Sequence, residues 1–405
     1  MTRTLPRTDV AIVGGGPAGA LAAFTLARRG ARVTLFDHSH PREKPCGGGV
    51  TGRALELVAD AIDGTTLPAV EVHTASFDDP RTKPATVDLD APGTSQQSAL
   101  LVVDRRSFDG ALLDAARNAG VEHRAERVRG LDLTPGGVVV HTASGTHAAA
   151  WVIGADGANS LVRRRVARPF SRGQLSIAAG YFAEGATSRQ IDVQFVPDPA
   201  GYLWSFPRRD HLAIGICAQA DATSATTLRA IVSRWVERSG ATATRLVPYG
   251  WPIPSLRARD FAAESPAGAR WLLAGDAAGL VDPITREGIY FALRSGQHAA
   301  DALGGDDAAR AYDLRLRSEI YPELRRAARL KEGFFRGTFT HLLVDALRHS
   351  ARVRDVMADL VAGRQPYATL KRRLIATLEV RLAWRLLLLE LGSWNWGRNE
   401  FHGAS

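Results

Sequence analysis

Three glycines near the N-terminus, Gly14, Gly16 and Gly19, have the spacing G-x-G-x-x-G between an apolar run and a helix-forming segment. Such glycines allow a tight turn, a close approach of the backbone to a pyrophosphate, and close packing of helix against strand. The helix that follows directs its free N–H groups and positive end at the phosphates. Asp37 ends the next apolar run, where a carboxylate can accept hydrogen bonds from a ribose. This segment therefore predicts a dinucleotide-binding unit.

Two later acidic motifs and one arginine indicate which dinucleotide is bound. Asp156 and Asp276 each follow an apolar run and precede a glycine-containing turn, and a carboxylate at Asp276 can accept hydrogen bonds from the ribityl hydroxyls of a flavin. Backbone N–H groups near Gly288 and Ile289 can stabilise negative charge on a reduced flavin ring. Arg105 supplies a permanent cation for the pyrophosphate. This order of motifs favours FAD over NAD, and a nicotinamide donor, NAD(P)H, or another reductant would bind only transiently.

The elements that must position these residues alternate between strands and helices. Apolar runs predict buried strands at 10–13, 100–103, 138–141, 151–153 and 271–276, and helices at 18–29, 107–119 and 287–303. A different pattern, four short strands separated by turn residues, occurs at 174–183, 191–196, 202–206 and 211–217. We therefore predict an α/β fold: a Rossmann-like FAD-binding domain with an inserted antiparallel β-sheet substrate domain and a helical C-terminal region.

The predicted domain boundaries follow from these patterns. The discontinuous FAD-binding domain is expected to contain residues 1–64, 98–168 and 263–310. The sheet domain is expected to contain 65–97 and 169–262, and the helical C-terminal region 311–405.

The composition excludes several classes of protein. Hydrophobic residues make up 45% and charged residues 23% of the chain, as in ordinary globular proteins. Cys46 and Cys217 are the only cysteines, too few for a disulfide framework, and no secretion signal precedes the first strand, so we expect a cytoplasmic protein. The histidines lack metal-ligand spacing and no nucleic-acid recognition motif is present, so neither a metal nor nucleic acid is expected.

The C-terminal region carries most of the net positive charge. From residue 311 onward there are 17 Lys and Arg against 10 Asp and Glu. Within 367–391, leucines recur at helical spacing beside basic residues. They are Leu370, Leu374, Leu378, Leu382 and Leu386. Such a helix can lie peripherally on the anionic inner face of a membrane, or it can simply pack on its own domain.

Three further motifs carry a resemblance to a known family. They are Lys-Pro-Cys-Gly-Gly-Gly-Val at 44–50, Gly-Tyr-Leu-Trp-Ser-Phe-Pro at 201–207 and Asp-Pro-Ile-Thr-Arg-Glu-Gly-Ile-Tyr at 282–290. Over residues 8–305 the chain resembles the geranylgeranyl reductase family, whose FAD fold is shared with aromatic hydroxylases. The resemblance implies an FAD-dependent reductase that saturates carbon-carbon double bonds of an isoprenoid by hydride transfer from reduced flavin.

The resemblance also implies roles for individual residues. Cys46 is expected near the flavin, as a catalytic residue that delivers a proton or positions the reactants. Tyr202, Trp204 and Phe206 alternate on one face of a strand and are expected to line a lipophilic substrate cavity. Arg286 departs from the family, which usually has glycine there. The implied cofactor-binding set is Gly14, Gly16, Pro17, Ala18, Gly19, Asp37, Cys46, Gly47, Arg105, Asp156, Gly275, Asp276, Pro283, Gly288 and Ile289.

Other interpretations of the same residues remain open. Without the resemblance, Cys46 could be a small filler, and the aromatic residues could be ordinary sheet core. An FAD-dependent monooxygenase of an aromatic or lipophilic substrate would use the same fold, although such hydroxylases generally lack the cysteine of the 44–50 loop. A non-redox cyclase or isomerase that retains reduced FAD is a third activity. The mass of the product separates all three.

Overall fold

A computed structural model describes residues 7–90, 100–240 and 242–377 of the chain. The strands are β1 (Arg7–Val13), β2 (Val33–Phe36), β3 (Gly49–Thr51), β4 (Val70–Val72), β5 (Thr74–Asp78), β6 (Ala85–Asp88), β7 (Leu100–Val102), β8 (Glu122–Arg124), β9 (Gly130–Thr134), β10 (Gly137–His141), β11 (Thr146–Gly154), β12 (Leu175–Glu184), β13 (Gln190–Pro197), β14 (Ala200–Pro207), β15 (His211–Gln219), β16 (Arg245–Pro254), β17 (Ala267–Gly268) and β18 (Trp271–Leu273).

The helices follow the same chain order. They are α1 (Pro17–Arg28), α2 (Gly52–Val58), α3 (Arg105–Asn118), α4 (Leu161–Val166), α5 (Ala225–Ser239), α6 (Asp260–Ala263), α7 (Ile289–Ala302), α8 (Ala308–Arg315), α9 (Tyr321–Phe334), α10 (Gly337–His349), α11 (Ala351–Val361) and α12 (Tyr367–Ala376). A π-helical segment, Leu316–Ile320, joins α8 to α9 without a break.

The first sheet confirms the predicted Rossmann-like layer. Its strand order is β17-β18-β11-β1-β2-β8, and the pairs from β18 to β8 are parallel. The apolar side chains Val10, Ala11 and Ile12 of β1 are buried, as expected for a central strand covered by helices on both faces. Because the strands are parallel, β1, β2, β11 and β18 all end at the same edge of the sheet. That edge receives the loops that carry the predicted cofactor residues.

The second sheet is the predicted antiparallel insertion. Its order is β16-β12-β15-β14-β13-β5-β6, and every pair except β13 with β5 is antiparallel. We assigned the segment 65–97 to this sheet, but its described part, residues 65–90, divides between two sheets. Strands β5 and β6 join the second sheet, whereas β4 pairs with β7 in a three-stranded sheet completed by β3.

The described part of the C-terminal region, residues 311–377, is helical, as predicted. Helices α9 to α12 cover one side of the β5–β6–β13 end of the second sheet and form a common apolar core with it. Leu370 and Leu374 of α12 are buried in this core, so the described part of the leucine-rich segment packs inward. Leu378, Leu382 and Leu386 lie outside the described residues. No helix within 7–90, 100–240 and 242–377 is long and apolar enough to cross a bilayer.

We expect truncation of the core under the C-terminal helices to destabilise the protein. Leu347 on α10 has no exposed surface, whereas Leu314 on α8 is 55% exposed. Leu347→Ala removes buried methyl groups and leaves a cavity, so it should lower the free energy of unfolding by about 2 to 5 kcal/mol. Leu314→Ala, the same chemical change at the surface, should alter it by less than about 0.5 kcal/mol. Chemical denaturation measures both, and equal effects would contradict the packing described.

Candidate active site

The glycine-rich turn lies where β1 and β11 end. Gly14 has a φ of +107°, and a Cβ on it would lie 2.3 Å from the carbonyl oxygen of Ala155. A Cβ on Gly19 would lie 1.9 Å from the carbonyl oxygen of Gly14. At Gly16 the nearest side-chain atom would be 3.7 Å away. The fold therefore requires Gly14 and Gly19, whereas Gly16 leaves open space in front of the N-terminus of α1.

Asp37 follows β2 and has its carboxylate beside this turn. It accepts hydrogen bonds from the backbone N–H of Gly15 at 2.7 Å and of Ser39 at 2.7 Å, and from His40 Nδ1 at 2.8 Å. Burial would raise the pKa of Asp37, but the hydrogen bond and charge of His40, together with these N–H groups, hold it well below its usual range. Asp37 is therefore a fixed anion at the position predicted for a ribose acceptor.

His40 lies between Asp37 and the Asp109–Arg105 ion pair. Asp37 and Arg105 are the two charged residues predicted to flank the dinucleotide. Its Nε2 is 3.4 Å from Asp109 Oδ2, and Asp109 accepts hydrogen bonds from Arg105 Nε at 2.9 Å and Nη2 at 2.7 Å. Burial lowers the pKa of His40, but the carboxylates of Asp109 and Asp37 outweigh this and raise it above its ordinary value. The result is a line of alternating charges: Asp37, His40, Asp109 and Arg105. No sequence motif pointed to His40 or Asp109.

The other two predicted acids have partners within the protein. Asp156 accepts hydrogen bonds from the N–H of Leu161 at 2.6 Å and of Val162 at 3.2 Å, so its carboxylate caps α4. Asp276 forms an ion pair with Lys44, with Nζ and Oδ2 3.0 Å apart. This contact ties the 44–50 loop to the loop after β18, although the two are far apart in sequence.

A buried arginine, Arg208, holds the loop that carries Cys46 in place. Arg208 Nη2 donates to the Cys46 carbonyl at 3.0 Å, and the Arg208 side chain is 2% exposed. The Gly48 N–H donates to Cys46 Sγ at 3.3 Å, and the φ of +79° at Gly48 gives the loop its tight turn. These contacts hold the Cys46 side chain in the wall of the central cavity.

That cavity has a volume of about 700 Å³ and joins the glycine-rich turn to the second sheet. Tyr202, Trp204 and Phe206 of β14 all line it, and the Tyr202 hydroxyl donates to the Thr285 carbonyl at 2.9 Å. Tyr202 also stacks on Phe335, with ring centroids 6.0 Å apart. A second apolar part of the wall was not predicted, because it comes from α9, from the residue that follows α9, and from α11. It includes Phe334, Phe335, Met357 and Leu360.

The cavity brings together most of the residues predicted from sequence. Gly19 and Pro283 are buried behind its wall rather than in it. Those that line it are Gly14, Gly16, Pro17, Ala18, Asp37, Cys46, Gly47, Arg105, Asp156, Gly275, Asp276, Gly288 and Ile289. Two of the nitrogens of Arg105 bind Asp109, so its contribution to a pyrophosphate site remains a prediction.

The chain is similar to known FAD-binding proteins. The family model described as FAD binding domain matches residues 7–304. The geranylgeranyl diphosphate reductase of Rhodobacter capsulatus is 30% identical over 318 residues, 73% of this chain and 74% of the relative. The chain belongs to the geranylgeranyl reductase family of FAD-dependent oxidoreductases.

Two other similar proteins cover nearly the whole chain. The digeranylgeranylglycerophospholipid reductase of Methanothrix thermoacetophila is 29% identical over 410 residues, 94% of this chain and 98% of the relative. The crystal structure of a geranylgeranyl bacteriochlorophyll reductase-like protein of Thermoplasma acidophilum has a TM-score of 0.75 at 22% identity, covering 92% of this chain and 99% of that one. The latter likeness shows that the fold is shared.

The residues present fit FAD. The open space at Gly16, the N-terminus of α1 and the fixed anion of Asp37 suit the pyrophosphate and ribose of a dinucleotide. The loops after β11 and β18 line the same cavity, which also contains Cys46 and the aromatic wall formed by Tyr202, Trp204 and Phe206. The prediction therefore places the adenosine ribose at Asp37, the pyrophosphate at Gly16 and the flavin end beside Cys46.

Gly16→Ala should separate the role of this glycine in FAD binding from any role in folding. Gly16 has a φ of −72° and room for a Cβ in the protein, so the variant should unfold within about 1 kcal/mol of the wild-type apoprotein. Its methyl group would occupy the approach to the pyrophosphate, so FAD affinity should fall at least about tenfold. Gly14→Ala, the comparison variant, should lose stability as well. An unchanged FAD dissociation constant in Gly16→Ala would contradict the placement.

His40 should make the stability of the FAD site depend on pH. Its raised pKa means that the imidazolium between two carboxylates stabilises the fold fully below about pH 6.5 and loses this contribution as pH rises through the folded-state value. The wild type should therefore lose more unfolding free energy than His40→Gln between pH 6 and pH 9. His349→Gln, at an exposed histidine, is the control. Parallel pH profiles for wild type and His40→Gln would refute the bridging role.

Proposed function

We propose that this protein is a reductase that saturates carbon-carbon double bonds of an isoprenoid substrate. The observation that carries the proposal is the cavity itself, in which Cys46 and the FAD-binding loops face an aromatic and aliphatic wall. A long apolar chain is the kind of ligand that such a wall binds. The names of the relatives, a geranylgeranyl diphosphate reductase and a digeranylgeranylglycerophospholipid reductase, support the same substrate class.

The side chains of this cavity would bind and orient the substrate. Bound FAD in its reduced form supplies hydride chemistry. An isolated alkene is a poor electrophile, so it must be held close and in line, and Tyr202, Trp204 and Phe335 provide the rigid surface for this. Cys46 Sγ–H would give the proton to the second alkene carbon, so that one hydride and one proton together saturate the bond. We propose NAD(P)H or another transient reductant as the electron source.

The cysteine variants test this assignment. Cys46→Ala should bind FAD normally but reduce a polyprenyl substrate about 100-fold more slowly, because a positioned proton donor typically contributes at least that much. Cys217→Ala, at a fully buried cysteine packed against Trp204, should keep its activity. The assay uses dithionite-reduced enzyme and mass spectrometry of the product, which should gain two hydrogens per bond.

Two results would contradict different parts of the proposal. Full activity of Cys46→Ala would remove the catalytic role of the cysteine. A product that has gained an oxygen atom, or no product from any polyprenyl substrate, would reject the reductase itself.

A further inference from the structure

Arg286 has an unusual backbone conformation at the cavity wall. Its φ is +61°, in the left-handed region that disfavours residues with a side chain. The loop enforces this conformation: the Asp282 carboxylate accepts hydrogen bonds from the N–H of Ile284 at 2.7 Å and of Thr285 at 3.0 Å, and the Arg286 N–H donates to the Asp282 carbonyl at 3.0 Å. Glycine would adopt the same φ without strain, so the arginine side chain is maintained at an energetic cost.

The guanidinium of Arg286 has few partners in the protein. It lines the cavity, and Nη1 donates to Ser255 Oγ at 2.7 Å. Nε is buried without a hydrogen-bond partner, and Arg286 takes part in no ion pair within the described part of the chain. A cation with unused donors beside an apolar cavity is costly unless something negative binds there.

Lys331 of α9 is a second basic side chain that contacts the Ser255 hydroxyl. Lys331 Nζ is 2.7 Å from Ser255 Oγ and 2.6 Å from Gln219 Oε1. No carboxylate among the described residues forms an ion pair with it, and the nearby Asp221 is engaged with Arg257. Burial, and then the charge of Arg286, lowers the pKa of Lys331 to about 6. An anion beside Arg286 would offset both effects.

We propose that Arg286, with Lys331 behind it, binds the phosphate group of an anionic headgroup on the substrate. Arg286 is the side chain in contact with the ligand, and Lys331, which donates to the same Ser255 hydroxyl, becomes protonated more readily once the anion is bound. Thr285, next to Arg286, accepts a hydrogen bond from Tyr202 of the aromatic wall. The headgroup site is therefore continuous with the surface that would hold the apolar chain. This inference rests on the proposed function and selects prenyl phosphates over neutral prenyl compounds.

The test compares two ligands that differ only in the headgroup, geranylgeranyl diphosphate and geranylgeraniol. Binding to the oxidised holoenzyme is measured by calorimetry; oxidised flavin carries no negative charge on its ring, so any effect of Arg286 on the preference reflects the ligand. The wild type should bind the diphosphate at least about tenfold more tightly than the alcohol, the range expected for charge-assisted hydrogen bonds. Arg286→Gly should lose most of this preference while binding the alcohol as before.

Two further variants complete the comparison. Lys331→Met should reduce the preference by a smaller factor. Arg257→Gln removes one charge near Lys331 from a half-exposed ion pair outside the cavity, and it should leave the preference unchanged. Inorganic pyrophosphate should compete with the diphosphate in the wild type and not in Arg286→Gly.

The outcomes distinguish this inference from the proposed function. If wild type and Arg286→Gly show the same diphosphate-to-alcohol ratio, the anion site is refuted while the reductase proposal stands. If neither prenyl ligand binds the wild type, both fail. An equal loss in Arg257→Gln would also overturn the inference, because the effect would then be one of net charge.

Discussion

Gly14 and the backbone of Ala155 bring the ends of β1 and β11 so close together that no side chain fits between them. With β2 and β18 in the same parallel sheet, this contact places the glycine-rich turn, Asp37, Asp156 and Asp276 along one edge. A dinucleotide can then lie across the sheet edge with its two halves bound by different loops.

The buried charged side chains near the glycine-rich turn have partners of opposite charge, whereas Arg286 at the other end of the cavity has none in the described part of the chain. Near the glycine-rich turn, Asp37 and Asp109 are both paired with His40, and Asp109 is also paired with Arg105. At the substrate end, Arg286 has no anionic partner within the described residues. Buried charges are costly unless they are paired, so the first arrangement stabilises the protein before any ligand binds, whereas the second gains from a ligand. The same cavity thus combines a preformed site with one that an anionic ligand would complete.

Local patterns predicted the fold class and most of the residues that meet in the central cavity, because glycine spacing and strand ends have fixed consequences in a parallel sheet. The role of Asp156 in capping α4 was not foreseen, since a strand-end acid can serve a ligand or a helix equally well. His40 and Lys331 act through contacts with Asp109 and Ser255, which are distant in sequence and leave no local motif. Phe334 and Phe335, at the end of α9, were missed for the same reason: helical spacing does not reveal which sheet a helix will cover.

The proposed reaction brings reduced FAD and an isoprenoid double bond together within one cavity. Oxidised-flavin absorbance, followed through an anaerobic single turnover, tests whether they react. Dithionite-reduced protein, freed of excess reductant and mixed with geranylgeranyl diphosphate, should regain oxidised-flavin absorbance in step with double-bond saturation, two electrons for each bond. A flavin that stays reduced until oxygen is admitted, with the prenyl compound recovered unchanged or oxygenated, would show that the protein does not reduce the isoprenoid.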